Sequence, residues 1–193
     1  MIFSNDPAVE IERMLLNPNE TQADDSHPIL YLLRRDLQNQ YGKETDVPSQ
    51  VLSPFLTGLG IMVGIELLTK LWSGDHNAGT EKIEDFLKSV CSLPDEKAIA
   101  LEQFRHALAH DYRLETIRRK DKQVYTFVVS DVASESECIT ELGDLKFGIN
   151  IWRLKDLFLA AIKEYHRLLH ISSDLQSKFM VARADMGEVE IVR

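Results

Sequence analysis

The sequence predicts a mainly all-α fold, a helical bundle with a small antiparallel β-insertion near 123–151. Two observations carry this expectation. Apolar residues recur at helical spacing through most of the chain, most clearly at Leu157, Phe158, Ala161, Ile162, Tyr165, Leu168, Leu169, Leu175 and Phe179. One stretch breaks that pattern: Val124, Tyr125, Phe127, Val128 and Val129 are β-branched or aromatic, and Gly143-Asp144 marks a turn downstream.

In chain order, residues 1–27 read as an acidic, irregular segment with six acids against the single Arg13. Within it Ile11, Met14, Leu15 and Leu16 predict one short helix that Pro18 stops. Residues 28–193 read as a single domain. Leu30, Leu33 and Leu37 keep a helical spacing up to a stop at Gly42, and a polar linker with Pro48 follows. A third helix is predicted from Ser53-Pro54, with Ser as cap and Pro in the first turn, to Trp72. This is the most apolar run, but Glu66, Lys70 and three glycines interrupt it. A membrane span needs ~20 mostly apolar residues, so the run reads as a buried helix and no membrane partner is expected. Gly60 and Gly64 lie four apart on one face and predict close approach of a neighbouring helix. A fourth helix, 81–91, carries the stripe Ile83, Phe86, Leu87 and Val90. A fifth opens at Pro94-Asp95-Glu96 and runs to about Tyr112. Strands are expected over 124–129, 137–141 and 145–151, and one last long helix from Trp152 to about Phe179.

The chain has 193 residues, 44% apolar and 27% charged, with a net charge of −9. Those values fit one globular domain and exclude disordered, collagenous and fibrous classes. The acidic balance argues against coating nucleic acid by bulk charge. Cys91 and Cys138 form no CxxC pair, which predicts two reduced, buried thiols and no disulfide framework. The first residues show no basic region followed by an apolar stretch, so no signal peptide is expected and the compartment is read as the cytoplasm. Without a P-loop, G-x-G-x-x-G or G-x-S-x-G, kinase, dehydrogenase and serine-hydrolase chemistry find no support.

The charge is unevenly spread. Residues 105–122 hold six basic side chains against three acids, in a chain that is acidic overall. Arg105, His106, His110 and Arg113 fall within nine residues, and Arg118, Arg119 and Lys120 follow. Such a spot suits a phosphate ligand, because Arg grips phosphate bidentately and His moves protons near neutral pH. On one α-helix Arg105 and His110 stand about 140° apart, which favours a composite groove between two copies in a homodimer. A bland alternative is a hydrogen-bonded polar pair at a helix end. The acidic 1–27 segment is expected to shield the basic one. His166 and His170 form a second H-x3-H pair, read as surface or interface histidines; no metal or cofactor is expected. Glu66 is read either as a partner for an Arg or as an exposed position.

The run Arg105-His106-Ala-Leu-Ala-His110 resembles the R-x4-6-H motif of HEPN domains, with a polar residue directly after the Arg. The preceding segments at 64–70 and 82–88 are similar in kind, and the likeness spans roughly 28–170. It resembles a group of small bacterial HEPN-like proteins of mostly unassigned function. The resemblance implies an α-bundle that dimerises through the motif helices and, in active members, a metal-independent endoribonuclease or toxin-like effector. His110 would act as general acid or base on the ribose 2′-OH, Arg105 would stabilise charge on the scissile phosphate, and His106 would support the site. Independently of the resemblance, the charge run at 118–122 reads either as a solvated loop or as an RNA-backbone contact, with Arg113, Arg118, Arg119 and Lys120 as the candidate phosphate-binding residues. The alternative is a non-catalytic module of the same fold that binds RNA, nucleotide or a protein partner; an antitoxin-like partner is also implied.

Overall fold

The computed structural model describes residues 6–15, 26–27, 29–41, 54–111, 114–132, 134–185 and 189–190. The Pro18 and Gly42 stops, the Pro48 linker and the Ser53 cap lie outside them.

Apolar periodicity forms the helices. They are α1 (Pro7–Leu15), α2 (Ile29–Tyr41), α3 (Pro54–Ser73), α4 (Thr80–Ser89), α5 (Asp95–His106), α6 (Ile151–Ile171) and α7 (Ser173–Ala184). Their apolar faces meet around α3, which packs against α2, α4, α6 and α7. Ile61, Ile65 and Leu68 of α3 are fully buried, as are Phe86, Phe104, Phe158 and Phe179 from its neighbours. By length and composition alone α3 is apolar enough to cross a membrane, and half of that stretch is buried within the protein. The expected close approach is found at Gly64, where an added Cβ would meet the Phe158 ring at 2.6 Å and Leu33 at 2.8 Å. At Gly60 the nearest such atom lies at an ordinary 3.6 Å.

The all-α expectation is overturned. The described residues hold seven α-helices and a four-stranded mixed sheet, so the fold is mixed α and β. The strands are β2 (Glu115–Ile117), β3 (Val124–Ser130), β4 (Ile139–Gly143) and β5 (Lys146–Asn150), in the order β2-β3-β5-β4. A further short antiparallel pair joins β1 (Ser26–His27) to β6 (Val189–Glu190). Two features separate the main sheet from a small antiparallel insertion. It begins at Glu115, and its central pair, β3 with β5, runs parallel. The physical reason is burial. Tyr125 and Phe127 of β3 and Phe147 and Ile149 of β5 all turn to the covered face, and parallel register sets Phe127 beside Phe147. The mostly exposed β4 is left at the edge, hairpinned to β5 through Asp144 and Leu145, whose φ is 52°. Phe127 then packs edge-on to Phe104 of α5, with centroids 5.4 Å apart, and so fastens the sheet to the bundle.

Two helix expectations are also corrected. The long C-terminal helix is broken at Ser172, whose extended backbone starts α7 and whose side chain accepts from the Leu175 N–H at 3.3 Å. The fifth helix ends as an α-helix at His106 and continues as a π-helical turn, Ala107–Asp111. At the sheet-to-bundle junction, Asn150 ends β5 and caps α6 directly, accepting from the Arg153 N–H at 3.0 Å.

Candidate functional site

Three elements enclose a cleft of about 630 Å³. The start of α4 contributes Gly79, Thr80, Glu81 and Glu84; the end of α5 contributes Gln103, Arg105 and His106; β2 and the turn after it contribute Ile117, Arg118, Arg119 and Lys120. Five of the residues singled out from the sequence, Arg105, His106, Arg118, Arg119 and Lys120, thus share one cleft. Arg113 lies outside the described residues. His110 sits in the π-helical turn, and its side chain is outside them too.

The cations fall into two kinds. Arg105 is engaged from two sides. Its Nε and Nη2 donate to Glu66 Oε2 at 3.0 and 2.7 Å, and its Nη1 lies 3.7 Å from Glu102 Oε1. Glu66 also takes Lys70 Nζ at 3.0 Å. This resolves the two readings of Glu66 in favour of an Arg partner. Arg118 is held in the same manner, donating to Glu84 Oε1 at 2.9 Å and to Asp121 Oδ2 at 3.1 Å. Arg119 and Lys120 are exposed, and among the described residues neither is paired. They form the free positive edge of the cleft.

The carboxylates around Arg105 are tuned in opposite directions. Burial alone would push the Glu66 carboxyl up, but hydrogen bonds from Lys70 and Arg105, with their charges, hold it below the usual range. Glu102 is fully buried, and that burial pushes its carboxyl up against the opposing pull of the Thr80 hydroxyl and Arg105. Thr80 Oγ1 donates to Glu102 at 3.0 Å and Gln103 Nε2 at 2.6 Å. Glu84, Glu102, Thr80 and Gln103 are not among the residues that the sequence singles out. Of the carboxylates here the sequence pointed only to Glu66, as a charge inside an apolar helix.

Two further features of the cleft concern ligand binding. Gly79 at the start of α4 supplies no side-chain cap, and the first turn of that helix lines the cleft with its positive dipole end, beside its own acid Glu81. Gln103 is 4% exposed, and among the described residues its Oε1 has no hydrogen-bond partner. Two acids of the N-terminal segment, Glu10 and Glu12, are engaged away from this site. Glu10 pairs with Arg13 and Arg183, and Glu12 with His166, on the side of α6 and α7. The thiols are free, and burial pushes the Cys91 thiol up to about 12, which makes it a poor nucleophile.

No family model, curated protein sequence or solved structure matches this chain.

Proposed function

We propose that the cleft between α4, α5 and β2 binds a phosphate-bearing ligand, a nucleotide or a single RNA strand, with Arg119 and Lys120 as the anion-facing cations. The observation that supports this reading is convergence. The basic turn after β2 meets a helix start without a side-chain cap and a buried amide oxygen that has no partner among the described residues, in a cleft of about 630 Å³. Phosphate is bound well by helix N-termini beside Arg and Lys, and the Gln103 Oε1 accepts from a base or sugar donor. In this reading Arg105 is a positioning residue that fixes α5 to α3.

One observation favours a second reading. The chain leaves α5 through a π-helical turn directly after His106, and such turns are frequent at functional sites. The protein would then be a HEPN-like, metal-independent endoribonuclease of the cytoplasm. It would act as a homodimer, with His110 moving the 2′-OH proton and Arg105 released from Glu66 to meet the scissile phosphate. An antitoxin-like partner would block the same groove.

Anisotropy titration of a labelled short RNA, and competition by a nucleotide, tests the first reading. The wild type should bind saturably at low salt, and Arg119→Ala and Lys120→Ala should each lower the salt slope by about one. Absent binding, or binding unchanged in the double variant, overturns it. RNA cleavage in EDTA by the wild type that His110→Ala abolishes would support the second.

A further inference from the structure

We propose that Glu12, His166 and His170 form a binding site for a zinc-class divalent cation that clips α1 to α6. The site lies on the face of α6 toward α1, away from the cleft, and does not depend on what the cleft binds.

Three ligand atoms converge there. His166 Nε2 lies 2.8 Å from Glu12 Oε1 and 3.1 Å from His170 Nε2, and His170 Nε2 lies 3.6 Å from Glu12 Oε1. Zinc takes imidazole nitrogen and carboxylate oxygen at about 2.0–2.2 Å, so neighbouring ligands in a tetrahedron stand roughly 3.3 Å apart. The circle through these three atoms has a radius of about 1.9 Å, so an ion just off their plane reaches all three at coordination distance with the side chains where they stand.

Hydrogen bonding satisfies the cluster less well. An imidazole Nε2 holds either one hydrogen or one lone pair, directed along one line in the ring plane. If His166 Nε2 donates to Glu12, it has nothing left to accept a bond from His170. The separation from His170 to Glu12 is too long for a good bond of its own. A cation satisfies all three acceptors at once. The donor set, two imidazoles and one carboxylate, is a common one for zinc with a water in the fourth position. Side-chain exposures of 49% for Glu12 and 51% for His170 leave that position open to solvent, while His166, at 17%, anchors the inner side.

The backbone supplies the arrangement. His166 and His170 are one turn apart on α6 and stack on one face, with ring centroids 4.4 Å apart. Glu12 sits one residue past Ile11, whose buried side chain seats α1 in the core. The H-x3-H spacing was visible in the sequence, but its third ligand stands 154 positions upstream.

The test titrates Zn²⁺ into the metal-stripped full chain against a fluorescent chelator, with hydrogen exchange of α1 followed in parallel. The expected result is one ion per chain with a Kd of about 1 µM or tighter. Affinity should fall more than about tenfold in His170→Ala and in Glu12→Gln, since even outer-shell partners are worth 10–100-fold. Zinc should slow α1 exchange in the wild type and in neither variant. Both substitutions are at exposed positions on different helices, so a folding defect in one, seen by thermal melting in EDTA, leaves the other decisive. No saturable zinc binding, a smaller loss in the variants, or α1 exchange that ignores zinc overturns the proposal.

Discussion

Gly64 and Glu66 stand two residues apart on α3, about 200° around the helix, and join it to its neighbours by opposite means. At Gly64 the absence of a side chain lets Phe158 of α6 and Leu33 of α2 close on the backbone. At Glu66 a carboxylate crosses to Arg105 of α5 and forms the wall behind the cleft. The first contact is shape alone and does not respond to pH or salt. The second depends on two charges remaining charged, which a ligand phosphate or a proton alters. The chain thus holds its core by fit and its cleft wall by charge.

The largest loss is expected on the core side. Phe158→Ala should cost about 3–5 kcal/mol through lost burial and an unfilled cavity, read as a lower urea midpoint at pH 7 and pH 5 alike. Arg105→Ala comes next. It leaves Glu66 with Lys70 as its one remaining cation among the described residues and the buried Glu102 without its nearby one, and should cost about 1.5–3 kcal/mol at pH 7. Gly64→Ala should cost up to about 2 kcal/mol by denaturant melting, the ~1–3 kcal/mol strain of overpacking less the ~1 kcal/mol gained in helix propensity.

The smallest effect separates the two sides most sharply. The Glu66 carboxyl is held below its unfolded value, so the folded state binds fewer protons there. Its stabilisation is present above about pH 4.5 and is lost as pH falls through the lower folded value. Glu66→Gln should therefore cost about 0.5–1.5 kcal/mol at pH 7, and its stability should converge on the wild type under acid. Glu102 has the opposite sign. Its raised carboxyl favours the protonated fold, so that contribution fades as pH rises. Denaturant midpoints from pH 3 to pH 8 check both.

What was legible in the sequence follows from range. The apolar stripe of α4, Pro54 at the start of α3 and the glycine contact at Gly64 are written within single turns of helix. The basic cluster was equally visible because its members are neighbours in the chain. The sheet was misjudged where pairing is distant. β2 is three residues long with only Thr116 buried, and nothing local assigns β5 to a parallel place beside β3. The break at Ser172 was hidden because Leu169, Leu175 and Phe179 keep the apolar rhythm across it. The partners of the site were out of local reach as well, with Glu66 standing 39 positions from Arg105 and Glu84 standing 34 from Arg118.

Asn150 has a consequence for the order in which the chain assembles. Its side chain accepts from the first turn of α6 while its amide donates to Val132 O and Glu135 Oε2, at 2.9 and 2.8 Å. Hairpin and helix therefore meet at one buried residue with no loop between them. Everything from 139 to 171 is contiguous in sequence, so its contacts form at low loop-closure entropy. Pulsed hydrogen exchange during refolding should protect that unit first. The amides of α1, whose neighbour α6 lies more than a hundred residues away, should be protected last.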